Sequence, residues 1–227
     1  MRTTTLSILF FCLFLLAAPL NGFTAQAKPA KLDEATQKAL QEAEAAYQAK
    51  KFAEARTLLQ PLAEKKVAPA AYALGHMSAT GEGGFQDLKV AEKWWLVAAE
   101  GNFAPAEYNL GFLYIGKALG EPDPAKARTY WTRAAQHNYP DALYPLSMMM
   151  IEGRGGAKDL PNAAKNLKVI ADKGHPRAQF ELGKLYMDGK GVKKDMKLAK
   201  EYFEKASQNG VPEAADALAA LTGQLKK

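Results

Sequence analysis

A repeat of 36 residues constrains this chain more than any other feature. Leu74, Leu110, Leu146, Leu182 and Leu218 stand 36 apart, and Ala70, Ala106, Ala142, Ala178 and Ala214 keep the same interval. Asp87, Asp123, Asp159 and Asp195 make a third column, and Ala91, Ala127, Ala163 and Ala199 a fourth. A bulky column follows at Trp95, Trp131, Leu167 and Phe203. Self-similarity at such a period marks a stacked array, because a single unit of this size cannot bury its apolar face alone.

Each period reads as two short helices. The first, helix A, carries A-x-x-x-L-G-x-x-Y, as in AEYNLGFLY (Ala106 to Tyr114) and AQFELGKLY (Ala178 to Tyr186). Alanine and leucine four apart share one helix face, and the glycine beside the leucine permits close approach of a neighbour. The second, helix B, carries D-x-x-x-A-x-x-x-W, as in DLKVAEKWW (Asp87 to Trp95) and DPAKARTYW (Asp123 to Trp131). Aspartate there is placed as an N-cap, and Pro124 suits the first helical position. The B helices are expected to end near Gly101, Asn138, Gly174 and Gly210, where a left-handed residue is wanted.

The stretch MDGKGVKKDMK, Met187 to Lys197, has the look of a phosphate-binding loop. Its glycines recur, however, as Gly81 and Gly83 in TGEGGFQD and as Gly153 and Gly155 in EGRGGAKD. Every copy joins two helices and ends in the capping aspartate, whereas a phosphate loop follows a strand and reads G-x-x-x-x-G-K-[ST]. Turn geometry explains these glycines. The second repeat differs, with Gly116 and Gly120 out of phase in YIGKALGEPDP, so its loop is expected to take another shape. In the third repeat Ser147 replaces the glycine, Pro145 falls in the first turn of helix A, and Met148 to Met150 read as adaptable packing.

The chain opens MRTTTLSILFFCLFLLAAPLNGFTAQAKPAK. A basic start, an apolar core from Leu6 to Leu20 and the small residues of Ala25-Gln26-Ala27 are the layout of a cleaved secretory signal peptide. A membrane span needs about 20 apolar residues, more than this run supplies. Cleavage after Ala27 predicts a periplasmic or secreted protein with no stable membrane span. Cleavage also removes Cys12, the only cysteine, and with it disulfides, thiolate nucleophiles and cysteine metal sites. Arg2 is the only charged residue of the leader, so the net charge of +6 becomes +5. The lysines are spread along the chain and read as a solvated surface.

The columns A-x-x-x-L-G-x-x-Y, G-x-G, D and K-A-x-x-W/Y resemble those of the Sel1-like repeat family, over Ala68 to about Leu221. The resemblance implies an all-α fold: an α/α solenoid of Sel1-like, tetratricopeptide-related helix-turn-helix repeats coiled into a right-handed superhelix. The expected organisation is a signal peptide over 1–27, a linker and tetratricopeptide-like capping hairpin over 28–67, repeats over 68–103, 104–139, 140–175 and 176–211, and a capping helix over 212–227. Bacterial members generally act as adaptors for protein complexes, often in the envelope or in host interaction. The cysteine-rich Helicobacter branch has disulfide-locked repeats and penicillin-binding or β-lactamase activity; without a mature cysteine, that architecture does not carry over.

In tetratricopeptide-like arrays the groove-facing positions of helix A are counted from the Leu-Gly pair. Two residues before it stand Tyr72, Tyr108, Tyr144 and Phe180, and two after it His76, Phe112, Met148 and Lys184. Arg177 adds a cation five residues before the leucine. Aromatic residues give rigid contact area, so these residues are the candidate binding site for a peptide or protein segment. Other positions at this level, Ile115, Ile151 and Met187, are apolar.

Catalytic, metal and nucleic-acid patterns are missing. Ser78, Ser147 and Ser207 are not followed by the x-x-K of penicillin-recognising serines, and His76, His137 and His175 form no H-E-x-x-H pair. No basic stripe is interleaved with aromatics. The expectation is a non-catalytic interaction scaffold of the cell envelope with no cofactor and no metal, binding a protein or peptide and not nucleic acid. The alternatives are a β-lactamase-like or peptidoglycan-fragment-binding protein and a secreted host-interaction effector.

Overall fold

A computed structural model describes residues 32–225. The signal peptide expected over 1–27 lies outside the described residues. Among these residues the regular structure is helical: α1 (Glu34–Gln48), α2 (Phe52–Glu64), α3 (Ala68–Thr80), α4 (Leu88–Glu100), α5 (Ala104–Ile115), α6 (Pro124–Gln136), α7 (Leu143–Glu152), α8 (Leu160–Ala171), α9 (Pro176–Asp188), α10 (Met196–Gln208) and α11 (Pro212–Leu225). A short 3-10 turn at Pro140–Ala142 precedes α7, so Pro145 falls in the first turn, where a missing N–H costs little. The chain forms two compact units, one ending at Tyr139 and the other beginning at Pro140.

The first unit consists of the hairpins α1–α2, α3–α4 and α5–α6, with α2 against α3 and α4 against α5. The second consists of α7–α8 and α9–α10, with α8 against α9 and the final helix α11 against α10. In both, the repeat columns form the core. Ala70, Ala106, Ala142, Ala178 and Ala214 are fully buried, as are Ala91, Ala127, Ala163 and Ala199. Leu74, Leu110, Leu146 and Leu182 are buried as well, and so are Trp95, Trp131, Leu167 and Phe203.

Local chemistry sets the helix ends. Asp87 and Asp195 each accept from two amides of the following turn at 2.9–3.0 Å, Asp123 from Lys126 N–H at 2.9 Å, and Asp159 from Asn162 N–H at 3.2 Å. The same aspartates close their loops, their N–H groups donating to the carbonyls of Ser78, Tyr114, Met150 and Tyr186. The paired loop glycines Gly81 and Gly83, Gly153 and Gly155, and Gly189 and Gly191 are left-handed, from Gly155 at φ +68° to Gly81 at +81°. The second repeat achieves the same closure differently. There Gly116 is at φ −83°, and Gly120 alone is left-handed, at +122°.

The left-handed residue after each B helix keeps its own column: Lys66, Asn102, Asn138, Gly174 and Gly210. At the first full repeat the expected position was one residue early. Gly101 is at φ −83°, and Asn102 at +57° takes the left-handed conformation that asparagine tolerates.

Candidate protein-interaction faces

Helix α3 is buried from Pro69 to Ala79, packed between the α1–α2 hairpin and α4. A helix enclosed this way offers no polar face, and its sequence APAAYALGHMSAT has none. Two candidate binding residues therefore lie inside. Tyr72 is 9% exposed, with its ring 5.0 Å from Phe103. Burial pushes its hydroxyl up to about 12, partly offset by a hydrogen bond with Asn109.

His76 is 4% exposed, with Nδ1 3.8 Å from a Glu82 carboxylate oxygen. That oxygen also accepts from the Tyr47 hydroxyl at 2.9 Å and the Thr80 hydroxyl at 3.0 Å. Arg56 donates to the Glu82 carbonyl at 3.3 Å and to Ser78 Oγ at 3.2 Å. These bonds tie the first glycine loop to the N-terminal hairpin.

Helix α5 is different. Tyr108 and Phe112, four apart and on one face, are both half-buried. Their rings meet edge to face at 4.9 Å; Phe112 in turn stands edge-on to Trp131 at 5.0 Å, and Tyr108 lies 5.1 Å from Tyr139. The Tyr108 carbonyl accepts from the Trp131 indole at 3.1 Å. The pair is thus fixed from behind and leaves aromatic surface in solvent.

In the second unit Tyr144 is half-buried and stacks on His175, centroids 4.9 Å apart and planes 24° apart. Phe180 is half-buried against Phe203 at 5.7 Å, with Lys184 Nζ 5.3 Å over its ring and 2.8 Å from Glu181. Met148 is half-buried, and Arg177 is exposed, 3.8 Å from Glu213.

Two polar arrangements escaped the sequence reading. His175 caps α9, its Nδ1 accepting from Ala178 N–H at 3.1 Å. Glu107 is fully buried, ion-paired to Arg133 at 2.9 Å and bonded to His137 Nδ1 at 2.7 Å. Arg133 also donates to the Ala99 carbonyl at 2.6 Å. The signal was present: Glu107 is the one acid in a column otherwise held by Ala71, Leu143, Gln179 and Ala215. Two repeats later a neutral version appears, with Gln179 accepting from Asn209 at 2.9 Å and donating to the Ala171 carbonyl at 3.1 Å.

Two of the three serines among the described residues are committed inside helices. The buried hydroxyls of Ser78 and Ser147 donate to the carbonyls of Leu74 and Leu143 at 2.7 and 2.6 Å. Among the described residues no three His, Cys, Asp or Glu side chains gather as a metal site, and no helix is long and apolar enough to cross a membrane.

The family model of the Sel1 repeat matches residues 68–103, 104–139, 140–175 and 176–211. Among solved structures the chain is similar to a protective antigen present in uropathogenic Escherichia coli strains, which displays an SLR fold, at 30% identity and a TM-score of 0.67. That likeness covers 74% of this chain and 36% of the antigen, so the chain spans about a third of that protein. It is also similar to a Sel1 repeat protein from Oxalobacter formigenes, at 28% identity and a TM-score of 0.62, over 76% of this chain and 70% of that one. Among proteins of curated function, none matches.

Proposed function

The chain belongs to the Sel1 repeat family, and from that premise we propose that it is an exported scaffold of the cell envelope that holds a peptide or protein segment on the helix-A faces of its repeats. Sel1 repeat proteins are generally protein-interaction scaffolds without catalytic activity. The observation that carries the finer reading is the Tyr108–Phe112 pair. Its rings are braced by Trp131 and Tyr139 and half open to solvent. A partner side chain packing there meets rings already ordered, so little further entropy is lost on binding. In the second unit Tyr144, Met148 and Phe180 supply apolar area, and Arg177 and Lys184 supply charge for the backbone or acidic groups of a segment. Tyr72 and His76 support these faces from within rather than touch the partner. The envelope location rests on the leader sequence.

The test is affinity capture from an envelope extract by the mature protein and by a Tyr108→Ala/Phe112→Ala variant with unchanged circular dichroism. A partner held by the first and lost by the second is the expected result. Equal capture by both removes the aromatic pair from the binding surface.

A further inference from the structure

Charge is unevenly divided among the loops that join helix A to helix B. In the second unit, residues 153–165 and 189–201 carry eight basic and three acidic residues. The positions one period apart in the first unit, 81–93 and 117–129, carry five of each. Two of the three acids, Asp159 and Asp195, are N-caps whose carboxylates are bonded to amides. Lys158, Lys165, Lys193, Lys194 and Lys197 are exposed, and among the described residues no ion pair neutralises them.

The two basic loops adjoin. Gly191, at φ +73°, lies so close to the backbone of Leu160 that a Cβ there would collide with it, which sets the fourth loop against the start of α8. Lys158 is two residues before that point and Lys193 two residues after Gly191. At Lys193 opens a cleft of about 680 Å³. Tyr186, Val192, Met196 and Leu198 line it, with Lys193 and Lys194 also in its wall. Asp195 completes the lining, its carboxylate turned to the amides of Lys197 and Leu198.

We infer that this loop edge of the second unit is a docking surface for an acidic protein segment carrying one apolar anchor residue. Lysines without counter-charges attract carboxylates, and the apolar lining takes a side chain between them. Apolar side chains set among the lysines favour a segment that brings its own apolar residue over a contact with charged lipid headgroups alone. Stacking of nucleic-acid bases is not offered, because the Tyr186 ring already stacks on Tyr202 at 5.8 Å and 4°. None of the candidate residues Tyr108, Phe112, Tyr144, Met148 and Phe180 lines this cleft.

The probe is a fluorescein-labelled twelve-residue peptide of alternating glutamate and aspartate with a central leucine, titrated with the mature chain. Saturable binding is expected, weakening with salt as exposed charges are screened. Lys158→Glu/Lys193→Glu/Lys194→Glu should lose it by at least about tenfold. Lys65→Glu/Lys89→Glu/Lys117→Glu, confined to the first unit, lowers the net charge equally and should change it less than about threefold, as expected of exposed charges outside the proposed surface. Both variants must retain wild-type circular dichroism. Tyr108→Ala/Phe112→Ala should bind the peptide unchanged, so failure of the aromatic-face reading and of this one are told apart. Equal losses from both lysine variants would overturn the inference. So would the absence of saturation, or binding of phosphatidylglycerol vesicles in place of the peptide.

Discussion

Gly111 shows how a single methyl group decides packing between the helices of a repeat. A Cβ at this position would run into the indole of Trp131, as one at Gly75 would into Trp95 and one at Gly183 into Phe203. In the third repeat the bulky partner is Leu167 instead of an aromatic, and there Ser147 stands in the glycine position. Size at one position therefore tracks size at the other. Gly111→Ala should cost about 1–3 kcal/mol by overpacking, read by denaturant unfolding. Gly84→Ala, whose Cβ would meet only the end of Arg56 at 4.0 Å, should stay within about 0.5 kcal/mol of the parent.

Glu107 offers a second comparison at the same scale. Glu107→Gln leaves His137 without its carboxylate and should cost about 1–3 kcal/mol. Adding His137→Asn copies the Gln179–Asn209 pair and should recover part of that loss. Additive losses in the double variant would contradict the equivalence of the two sites. Not all of this was legible in the sequence. Periodicity identifies Tyr72 and Tyr108 as equivalent, yet one is enclosed and the other half open. That difference comes from what packs around α3, and no count within the repeat contains it.

At the scale of the helix, the termini were the most readable part. An aspartate every 36 residues before an apolar stripe can do little except cap, and all four accept amide bonds as expected. Asp87→Ala should lower stability by about 0.5–2 kcal/mol, measured by thermal or denaturant melting. The A helices lack such a signal: α3 and α5 start from Val67 and Phe103 with no side-chain cap. At α9 the cap is His175, which no periodic column announces.

Burial holds the imidazole of His175 below its ordinary 6.5, outweighing its own backbone hydrogen bond and the opposing charge of Asp141. The neutral ring also accepts the Ala178 amide, which a protonated Nδ1 cannot do. The unfolded chain therefore takes up this proton at a higher pH than the folded one. Stability from His175 is complete above the ordinary value and is lost as pH falls through the depressed folded value. The melting temperature should drop between pH 7.5 and pH 5. His175→Asn, which can still cap but does not titrate, should reduce that drop. An identical drop in the variant would show that other groups carry it.

At the scale of the whole molecule, the repeat has divided labour. Its invariant columns are spent on the core and the caps, which leaves function to the positions that vary between repeats. This is why the architecture could be read from spacing, whereas open and enclosed aromatics are told apart only in the folded chain. The same reasoning underlies the proposal that a partner docks on α5 rather than on α3. The most direct test places the photo-crosslinking residue benzoylphenylalanine at position 112, or at exposed Lys89 on α4, in chains expressed in the native host. A discrete protein adduct from position 112, absent from position 89 and lost on adding Tyr108→Ala, is the predicted result. Adducts from position 89 alone, or the same adducts from both, would contradict docking on the aromatic face.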